Sequence, residues 1–450
     1  MREELHAHLN GTLIGTITPN SRNRQRVRLV VSPTYTGPAA AVSEGFALIP
    51  GTTPSSESVS NFLGGYLPEG NQRSALAARI PGLRATDLFG MLRHYGVTMA
   101  GALSVRTDDP DDDITPIYRP LSRTALRKKL VEARDSYTLG NEPDSGRSTL
   151  AGFQAKLLLA RFDGQWFHPQ RGGHSTHILK PAPLYRPSLI ADEHYSHEIA
   201  RAMGLASFSS ELVGTGTSSY LVISRYDRRV SAPFEVETFH QEDAAQALGL
   251  DWTNPASKFQ DRDLPNRKDR PSCLTIAELF GSIGASSQDA QRWFQYLVYS
   301  VLVGNHDAHA KNVSILHDGG SARIADLYDA VPILHINDDP QRRNSAKVRG
   351  DLSLAIAGEF GHQKITRRDM LTEATSWGVF TAESASSLLD LTFEQFGSAL
   401  ETVSVPRGAS EGLRDRLGYN LDNLIAGKSI GKPKLPIRSW TRREATSDKP

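Results

Sequence analysis

The chain has 450 residues, of which 39% are hydrophobic, so it is long enough for two or three domains with sizeable cores. Its formal net charge of +1 excludes a global electrostatic footprint for nucleic acid or an anionic membrane. Cys273 is the only cysteine, which excludes an internal disulfide and any multi-cysteine metal site. We find neither a secretion signal nor an apolar run long enough to span a bilayer, and we expect a cytoplasmic protein.

Residues 1–105 are predicted to form a small α+β domain. Alternating apolar and polar positions predict two antiparallel strands, over 11–17 and 26–31. Helical spacing predicts two helices that begin at the capping residues Ser58 and Thr86. This domain has no cluster of titratable groups, so we expect its polar side chains to lie at the surface and outside any functional site.

Residues 106–147 are acidic and rich in turn-forming residues. The run 108–113 contains five aspartates, and prolines follow at 116 and 120. Such a composition is typical of a solvated linker, within which we predict one helix over 124–133.

Residues 148–235 have the order of elements found in the nucleotide-binding lobe of protein kinases. A glycine-containing turn and two strands precede the strand 176–180, which ends in Lys180. In kinases this order supplies backbone N–H groups and one ammonium to the nucleotide phosphates. The following helix, predicted over 192–203, offers Glu193 and Glu198 as partners for that ammonium.

Residues 236–427 are predicted to form an α-rich lobe, and 428–450 a disordered basic tail. The polar segment 254–266 is consistent with either an ordered or a mobile insertion. Ser286 begins an S-x-x-D capping box, and the helix behind it carries an apolar stripe that ends near Gly304. Three more helices are predicted, near 366–377, 381–400 and 411–426.

The most informative stretch directly follows that apolar helix. Asp307 and Asn312 have the D-x-x-x-x-N spacing of a kinase catalytic loop, in which the aspartate accepts the proton of the attacking hydroxyl and the asparagine holds Mg²⁺. A second metal-binding carboxylate belongs shortly downstream, and both Asp326 and Asp329 occur there. The spacing alone does not choose between them.

His306 and His309 flank Asp307 and form an H-x-x-H pair that is reminiscent of a zinc site. Catalytic zinc requires a third protein ligand, and nothing nearby clearly supplies one. Hard oxygen ligands from Asn312 and a carboxylate favour Mg²⁺ instead.

The ordered motifs resemble the HipA family of bacterial toxin–antitoxin serine/threonine kinases. They span nearly the whole chain and comprise Asn61–Glu69, Ser148–Lys156, Thr176–Lys180, Arg225–Arg228, Asp307–Asn312 and Tyr328–Asp329. The resemblance implies an α+β, two-lobed protein-kinase-like fold with an added N-terminal α+β subdomain and an α-rich C-terminal lobe. It also implies that Asp307 is the base, that Asn312 and Asp329 bind Mg²⁺, and that Glu193 pairs with Lys180. The ATP-binding set that follows from it is Ala151, Gly152, Phe153, Gln154, Lys156, Lys180, Ser224, Tyr226, His309 and Lys311.

The same resemblance implies a regulatory loop and partners. Family members autophosphorylate a hydroxyl before the A-G-x-Q-x-K stretch, which here corresponds to Thr149, with Ser148 adjacent. They act beside a small helix-turn-helix antitoxin that binds operator DNA, and they commonly phosphorylate translation proteins such as aminoacyl-tRNA synthetases to arrest growth. The sequence departs from the family's pattern at two positions. Thr149 stands where the family usually has serine, and Ser224 stands where it often has glutamate.

Two alternatives remain open at this stage. Aminoglycoside- and sugar-type phosphotransferases share an H-x-D-x-x-x-x-N loop, although here Asn305 stands two positions before the aspartate. A non-catalytic pseudokinase that acts as a co-repressor would use basic segments such as Arg342, Arg343 and 347–349.

Overall fold

The computed structural model describes residues 3–107, 114–136, 155–282, 287–318, 321–333, 351–432 and 439–442. No helix within these ranges is long and apolar enough to cross a membrane.

The N-terminal unit is a four-stranded antiparallel sheet covered by helices. The sheet order is β3-β2-β1-β4, with β1 (Leu5–Leu9), β2 (Thr12–Pro19), β3 (Val27–Val31) and β4 (Leu103–Arg106). The helices are α1 (Ser56–Gly65), α2 (Gly70–Ala77) and α3 (Leu88–Tyr95). Both predicted strands and both predicted helices are present, whereas β1 and β4 were not predicted.

The two helix caps differ from the predicted ones. Ser55 caps α1 and accepts a hydrogen bond from the N–H of Ser58, and Asp87 caps α3 and accepts one from Gly90. The prediction of Ser58 and Thr86 as caps is therefore wrong. In both helices the residue with the non-helical backbone is the one that carries the capping oxygen.

The second unit is built on a six-stranded sheet with the order β5-β7-β6-β8-β10-β9. Its strands are β5 (Ile117–Pro120), β6 (Leu157–Phe162), β7 (Gln165–Gln170), β8 (His177–Pro181), β9 (Ser210–Val213) and β10 (Tyr220–Ser224). Successive strand residues point to opposite faces. Accordingly, Val222 packs with helix α4 (Arg123–Ser136), whereas Leu221 and Ile223 pack with helix α5 (Leu189–Ala202).

Part of the predicted linker belongs to this sheet. Strand β5 pairs with β7, and α4 buries Leu126 and Leu130 against β6 and β8. The predicted helix is present, but the linker prediction is wrong for 117–136, since these residues close one edge and cover one face of the sheet. The acidic run 108–113 and the segment 141–147 lie outside the described residues.

The third unit is mainly helical and has short hairpins. Its strands are β11 (Arg228–Ala232), β12 (Glu235–Thr238), β13 (His240–Asp243), β14 (Ser314–Asp318), β15 (Ser321–Ile324), β16 (Asp351–Ile356) and β17 (Glu359–Gly361). Its helices are α6 (Ala244–Ala247), α7 (Cys273–Ser282), α8 (Ser287–Val303), α9 (Arg367–Ser376), α10 (Ala382–Thr402) and α11 (Leu413–Ile425). The predicted apolar stripe of α8 forms the centre of the core, with Trp293, Phe294 and Val298 almost fully buried. The capping residue Ser286 lies outside the described residues.

The described residues after 428 are packed against the third unit. The ring of Trp440 lies so close to Gly418 that a Cβ there would be 2.1 Å from it, and the backbone N–H of Trp440 donates to Asp415. Ile430 is 1% exposed. The prediction of a disordered tail is wrong for these residues, because their apolar side chains complete the helical core.

The N-terminal unit is joined to the third unit along α1. A Cβ on Gly64 would be 2.3 Å from the Trp252 ring, and one on Gly65 would be 2.4 Å from Gln246. The Gln246 side chain donates to the carbonyl of Phe62. The two glycines are therefore required for close approach, since any side chain would separate the surfaces.

Asp227 also links the N-terminal unit to the rest of the protein. Its buried carboxylate accepts hydrogen bonds from Arg225, Arg228, Gln241 and the N–H of Gly101. Burial opposes ionisation, but the two guanidinium groups hold the pKa of Asp227 well below its usual range. The Arg225–Arg228 motif thus contributes a buried charge network between two units.

Candidate active site

The D-x-x-x-x-N segment folds into a compact loop at the end of α8. Gly304 has a positive φ of 70°, which turns the chain out of the helix. The N–H of Asp307 donates to the side chain of Asn305, and the amide nitrogen of Asn312 donates to the carbonyl of Asp307 at 2.8 Å. The two predicted site residues are thus held side by side, and the oxygen of the Asn312 amide is left for a ligand.

Lys180 lies between two carboxylates. Its Nζ atom is 2.6 Å from Oε1 of Glu193 and 2.6 Å from Oδ1 of Asp329, and Glu193 is fully buried. Glu198, the other candidate partner, instead pairs with Arg201. The lysine of β8, the glutamate of α5 and the aspartate after β15 therefore meet at one point, although they are remote in sequence.

Charge and burial oppose each other in this group. Burial lowers the Lys180 pKa, but the two carboxylates outweigh it and raise that pKa above its usual value. Burial raises the pKa of Glu193. Burial also favours neutral Asp329, but the ammonium groups of Lys180 and Lys156 hold its pKa well below the usual range.

Asp326 and Asp329 have different environments. Oδ2 of Asp326 accepts hydrogen bonds of 2.6 Å from the N–H and the hydroxyl of Ser207, and Oδ1 lies 4.0 Å from the Arg292 guanidinium. Asp329 has a left-handed φ of 54° and lines the cleft beside Asp307. Aspartate is one of the few residues other than glycine that adopt this backbone conformation readily, and here it turns the carboxylate into the cleft.

Asp307 faces this cleft with 56% of its side chain exposed. Desolvation within the cleft, followed by the negative charge of Asp329, raises the pKa of Asp307 to about 6. A carboxylate with a pKa close to the working pH is better suited to accept a proton than one with an ordinary pKa.

One cleft of about 1350 Å³ contains most of the predicted site residues within the described part of the chain. Its size is ample for a nucleotide and part of a second substrate. The predicted residues that line it are Lys156, Lys180, Glu193, Ser224, Tyr226, Asp307, His309, Lys311, Asn312 and Asp329. Ser148, Thr149, Ala151, Gly152, Phe153 and Gln154 lie outside the described residues, as do Arg342, Arg343 and 347–349.

The two residues predicted at the adenine side differ in their contacts. The N–H of Ser224 donates to the carbonyl of Ser209, so that group is already used by the sheet. The Tyr226 ring stacks on Tyr328 with centroids 5.6 Å apart, and its hydroxyl donates to Gln241. Tyr226 therefore contributes a fixed aromatic surface to the cleft.

Lys156 and Lys311, the other two lysines among the predicted ATP-binding residues, lie near carboxylates. Burial lowers the pKa of Lys156 to about 8, with Asp329 opposing and Lys180 reinforcing that effect. Lys311 donates to Asp243 at 2.7 Å and to the carbonyl of Gly65 at 2.8 Å. Lys311 thus connects the catalytic loop to the N-terminal unit.

The two histidines are packed and neutral. Burial lowers the pKa of His306 to about 3, and its ring lies 4.8 Å from that of His362. Burial also holds the pKa of His309 well below its usual value, and its ring meets the edge of Phe259. No group of three His, Cys, Asp or Glu side chains suited to a metal occurs among the described residues, so the zinc interpretation gains no third ligand.

Sequence reasoning missed the contribution of the N-terminal unit. Gly65 and Tyr66 line the cleft, and Glu69 forms an ion pair with Lys258, a buried cleft residue. The expectation that polar side chains of this unit lie outside the site is therefore wrong for Tyr66, and Glu69 contacts a residue that lines the cleft. No local pattern predicts contacts between residues so distant in sequence.

The donor chemistry fits Mg²⁺ together with a polyphosphate. Asp329 and Asn312 present hard oxygen atoms, one from a carboxylate and one from an amide. So few protein ligands are expected for Mg²⁺ when phosphate oxygens and water would supply the rest of its coordination shell. The cleft also contains the ammonium groups of Lys180 and Lys156, which are of the type that binds phosphate.

Comparisons with known proteins place the chain in one family. The model of the HipA-like C-terminal domain matches residues 148–400, and that of the HipA N-terminal domain matches residues 5–106. Y4mE of Sinorhizobium fredii, which bears a kinase name, is 30% identical over 76% of this chain and 79% of its own. The serine/threonine-protein kinase toxin HipA of Shewanella oneidensis is 26% identical over 70% of each chain.

A solved structure extends the likeness to the fold. The chain is similar to one from the Shewanella oneidensis complex of HipA, HipB and operator DNA, with a TM-score of 0.74 and 21% identity, covering 94% of this chain and 96% of that one. The predicted α+β, two-lobed kinase-like fold with an added N-terminal unit is confirmed. The chain belongs to the HipA family of serine/threonine protein kinases.

Proposed function

We propose that the protein transfers the terminal phosphoryl group of Mg²⁺-bound ATP to serine or threonine hydroxyls of another protein. The observation that carries this proposal is the convergence of Lys180, Asp307, Asn312 and Asp329 on one cleft. Each has the chemical type that its role in phosphoryl transfer requires.

The roles follow from the contacts. Asp307 accepts the proton of the substrate hydroxyl, and with a pKa of about 6 most of it is ionised at neutral pH. Asn312 and Asp329 hold Mg²⁺. Lys180, kept in place by Glu193, binds the nucleotide phosphates. When bound, Mg²⁺ neutralises charge on the phosphates and orients them.

The remaining nucleotide contacts are proposed from the family resemblance. Ala151, Gly152, Phe153 and Gln154 would cover the phosphates with Lys156, and Ser224 and Tyr226 would border adenine. His309 and Lys311 shape the loop between Asp307 and Asn312, since the N–H of Asn312 donates to the His309 carbonyl.

We also propose the biological setting. The relative from Shewanella oneidensis is named a toxin, and the solved structure contains HipB and operator DNA. By analogy, this protein is the cytoplasmic toxin of a pair with a small helix-turn-helix antitoxin, and it meets DNA only through that partner. Its substrate is a translation protein such as an aminoacyl-tRNA synthetase, and it autophosphorylates at Thr149 or Ser148.

A transfer assay tests this function. Purified protein, radiolabelled ATP and Mg²⁺ are incubated with a lysate, and labelled proteins are identified by mass spectrometry. Asp307→Ala and Asp329→Ala should lose at least about 10²-fold in labelling rate. Asp390→Asn is the matched control, because Asp390 is exposed and pairs with Arg367 outside the cleft. Full labelling by Asp307→Ala would refute the assignment, and a lack of ATP turnover by the wild-type protein would favour a non-catalytic role.

A further inference from the structure

A buried ion pair lies beside the catalytic loop, and no role above uses it. Nζ of Lys258 is 2.5 Å from Oε2 of Glu69, and the two side chains are 5% and 18% exposed. Lys258 lies in the segment 254–266, and Glu69 is the residue that precedes α2. An ammonium that far from water is stable as an ion only beside a counter-ion.

The backbone and neighbours of Lys258 fix it against the loop. Its carbonyl accepts a hydrogen bond from the N–H of Ala310, which lies between Asp307 and Asn312. Its Nζ lies 5.3 Å from the ring centre of Phe259, whose ring in turn meets His309. The segment 254–266 is therefore ordered at this point and holds a cation in the cleft.

The position of this cation relative to the proposed base is distinctive. Lys258 and Asp307 line the same cleft, and the Lys258 backbone is bonded to Ala310, three residues after Asp307. Lys180 is engaged by Glu193 and Asp329, and Lys311 by Asp243. Lys258 is paired with Glu69 in turn, but its backbone bond to Ala310 holds it against the loop that carries Asp307, at the end of the cleft where the substrate hydroxyl must meet that base.

Phosphoryl transfer requires positive charge at that position. The transferring group spreads negative charge over its equatorial oxygens, and fixed cations that contact these oxygens supply much of the catalysis. We propose that Lys258 is a catalytic residue that contacts the transferring phosphoryl group beside Asp307, and that Glu69 of the N-terminal unit is the positioning residue that holds its ammonium there. This inference rests on the proposed kinase function.

The chemical step balances without any further reactant. The bond between the terminal phosphorus and the bridging oxygen of the nucleotide breaks, and its electron pair remains on the diphosphate. The substrate hydroxyl oxygen forms the new bond to phosphorus, and its proton goes to Asp307. Lys258 donates hydrogen bonds throughout and remains protonated.

A purely structural link between the units is the competing explanation, and paired variants separate the two. Lys258→Met alone leaves the half-buried Glu69 carboxylate without this partner and is expected to destabilise the protein. The double variant Lys258→Met/Glu69→Leu removes both charges, and replacing a buried ion pair with apolar side chains is often neutral for stability. Lys258→Arg keeps the charge, and Glu69→Gln keeps an oxygen that accepts from Lys258.

Each full-length variant is measured in three ways: thermal unfolding, ATP turnover with Mg²⁺, and binding of ADP with or without aluminium fluoride, which mimics the transferring phosphoryl group. Asn61→Ala is the matched control, because Asn61 donates across the same junction to the Gly249 carbonyl without lining the cleft. It should lower the unfolding temperature through the lost hydrogen bond but leave ATP turnover and both binding measurements unchanged.

The double variant should remain folded and bind ADP normally, yet lose at least about 10²-fold in turnover. Its binding of ADP with aluminium fluoride should weaken by a similar factor, because a group that acts in the transition state is needed only there. Lys258→Arg and Glu69→Gln should stay within about 10-fold of the wild-type turnover.

Two results would overturn the inference while leaving the kinase function intact. One is wild-type turnover by a folded double variant, and the other is an equal loss of ADP binding with and without aluminium fluoride. If instead Asp307→Asn turned over ATP as fast as the wild-type protein, the proposed function would fail, and Lys258 would lose its assigned role with it.

Discussion

Replacing Lys180 by methionine should destabilise the protein strongly and in a pH-dependent way. Lys180 makes hydrogen bonds of 2.6 Å to both Glu193 and Asp329. Without it, Glu193 remains fully buried and loses its counter-ion, whereas Asp329, with 32% of its side chain exposed, can still be hydrated. Breaking a buried pair by removing one partner typically costs about 3–5 kcal/mol, and we expect a loss in this range at pH 8.

The pH dependence has a defined sign. Burial already raises the pKa of Glu193, and loss of the ammonium will raise it further. A carboxyl group whose pKa is higher in the folded state than in the unfolded state destabilises the fold, and the effect is complete above the folded-state pKa. The destabilisation is lost as the pH falls through the folded-state pKa to the unfolded-state pKa. As the pH falls, the deficit in unfolding free energy of the variant relative to wild type should therefore shrink. The recovery is about 1.4 kcal/mol for each pKa unit by which the loss of Lys180 has raised the Glu193 pKa.

Urea unfolding of both proteins at pH 8 and pH 5.5 measures this difference. Lys128→Met is the matched control, because Lys128 and its partner Glu132 are exposed and their pair should contribute less than about 1 kcal/mol. An unchanged unfolding midpoint at pH 8, or the same deficit at both pH values, would refute the argument that Lys180 compensates a buried carboxylate.

Three further predictions concern other parts of the site. Asp326→Asn weakens the hydrogen bonds from Ser207 and should destabilise the fold by about 1–3 kcal/mol in urea while retaining ATP turnover; loss of turnover without loss of stability would make Asp326 the metal ligand. Gly64→Ala places a Cβ against Trp252 and should lower unfolding stability by about 1–3 kcal/mol, and a wild-type midpoint would show that the close approach is unimportant. Turnover should fall as pH drops below about 6, since Asp307 then binds a proton and cannot accept another; a rate independent of pH down to 5 would exclude it as the base.

Sequence reasoning succeeded where the signal is local. The helical stripe of α8 and the loop from Asp307 to Asn312 lie within a short span, so spacing alone places them together. The order of elements predicted that Lys180 pairs with a glutamate of the following helix, and the structure selects Glu193 over Glu198.

It failed where geometry depends on distant residues. Asp326 and Asp329 both follow β15, and they are distinguished by long-range contacts: Asp329 meets Lys180 in the cleft, whereas Asp326 is bonded to Ser207. Strand β5 was hidden because its four residues stand beside an acidic run, and an edge strand needs little apolar alternation.

The contribution of the N-terminal unit was also hidden. Glu69 and Lys258 are 189 positions apart, and neither is part of a pattern that indicates an ion pair. The close approach of Gly64 and Gly65 to the third unit likewise depends on the side chains of Trp252 and Gln246. Such contacts follow from how the units pack, which periodicity and composition do not encode.

The rate of ADP formation by Asp307→Asn at saturating Mg²⁺ and ATP tests the central claim most directly. The variant keeps the size of the side chain and removes its capacity to accept a proton. We predict a fall of at least about 10²-fold, with ADP affinity within about threefold of the wild-type value. Wild-type turnover by this variant would contradict the assignment of the cleft as a phosphoryl-transfer site with Asp307 as its base.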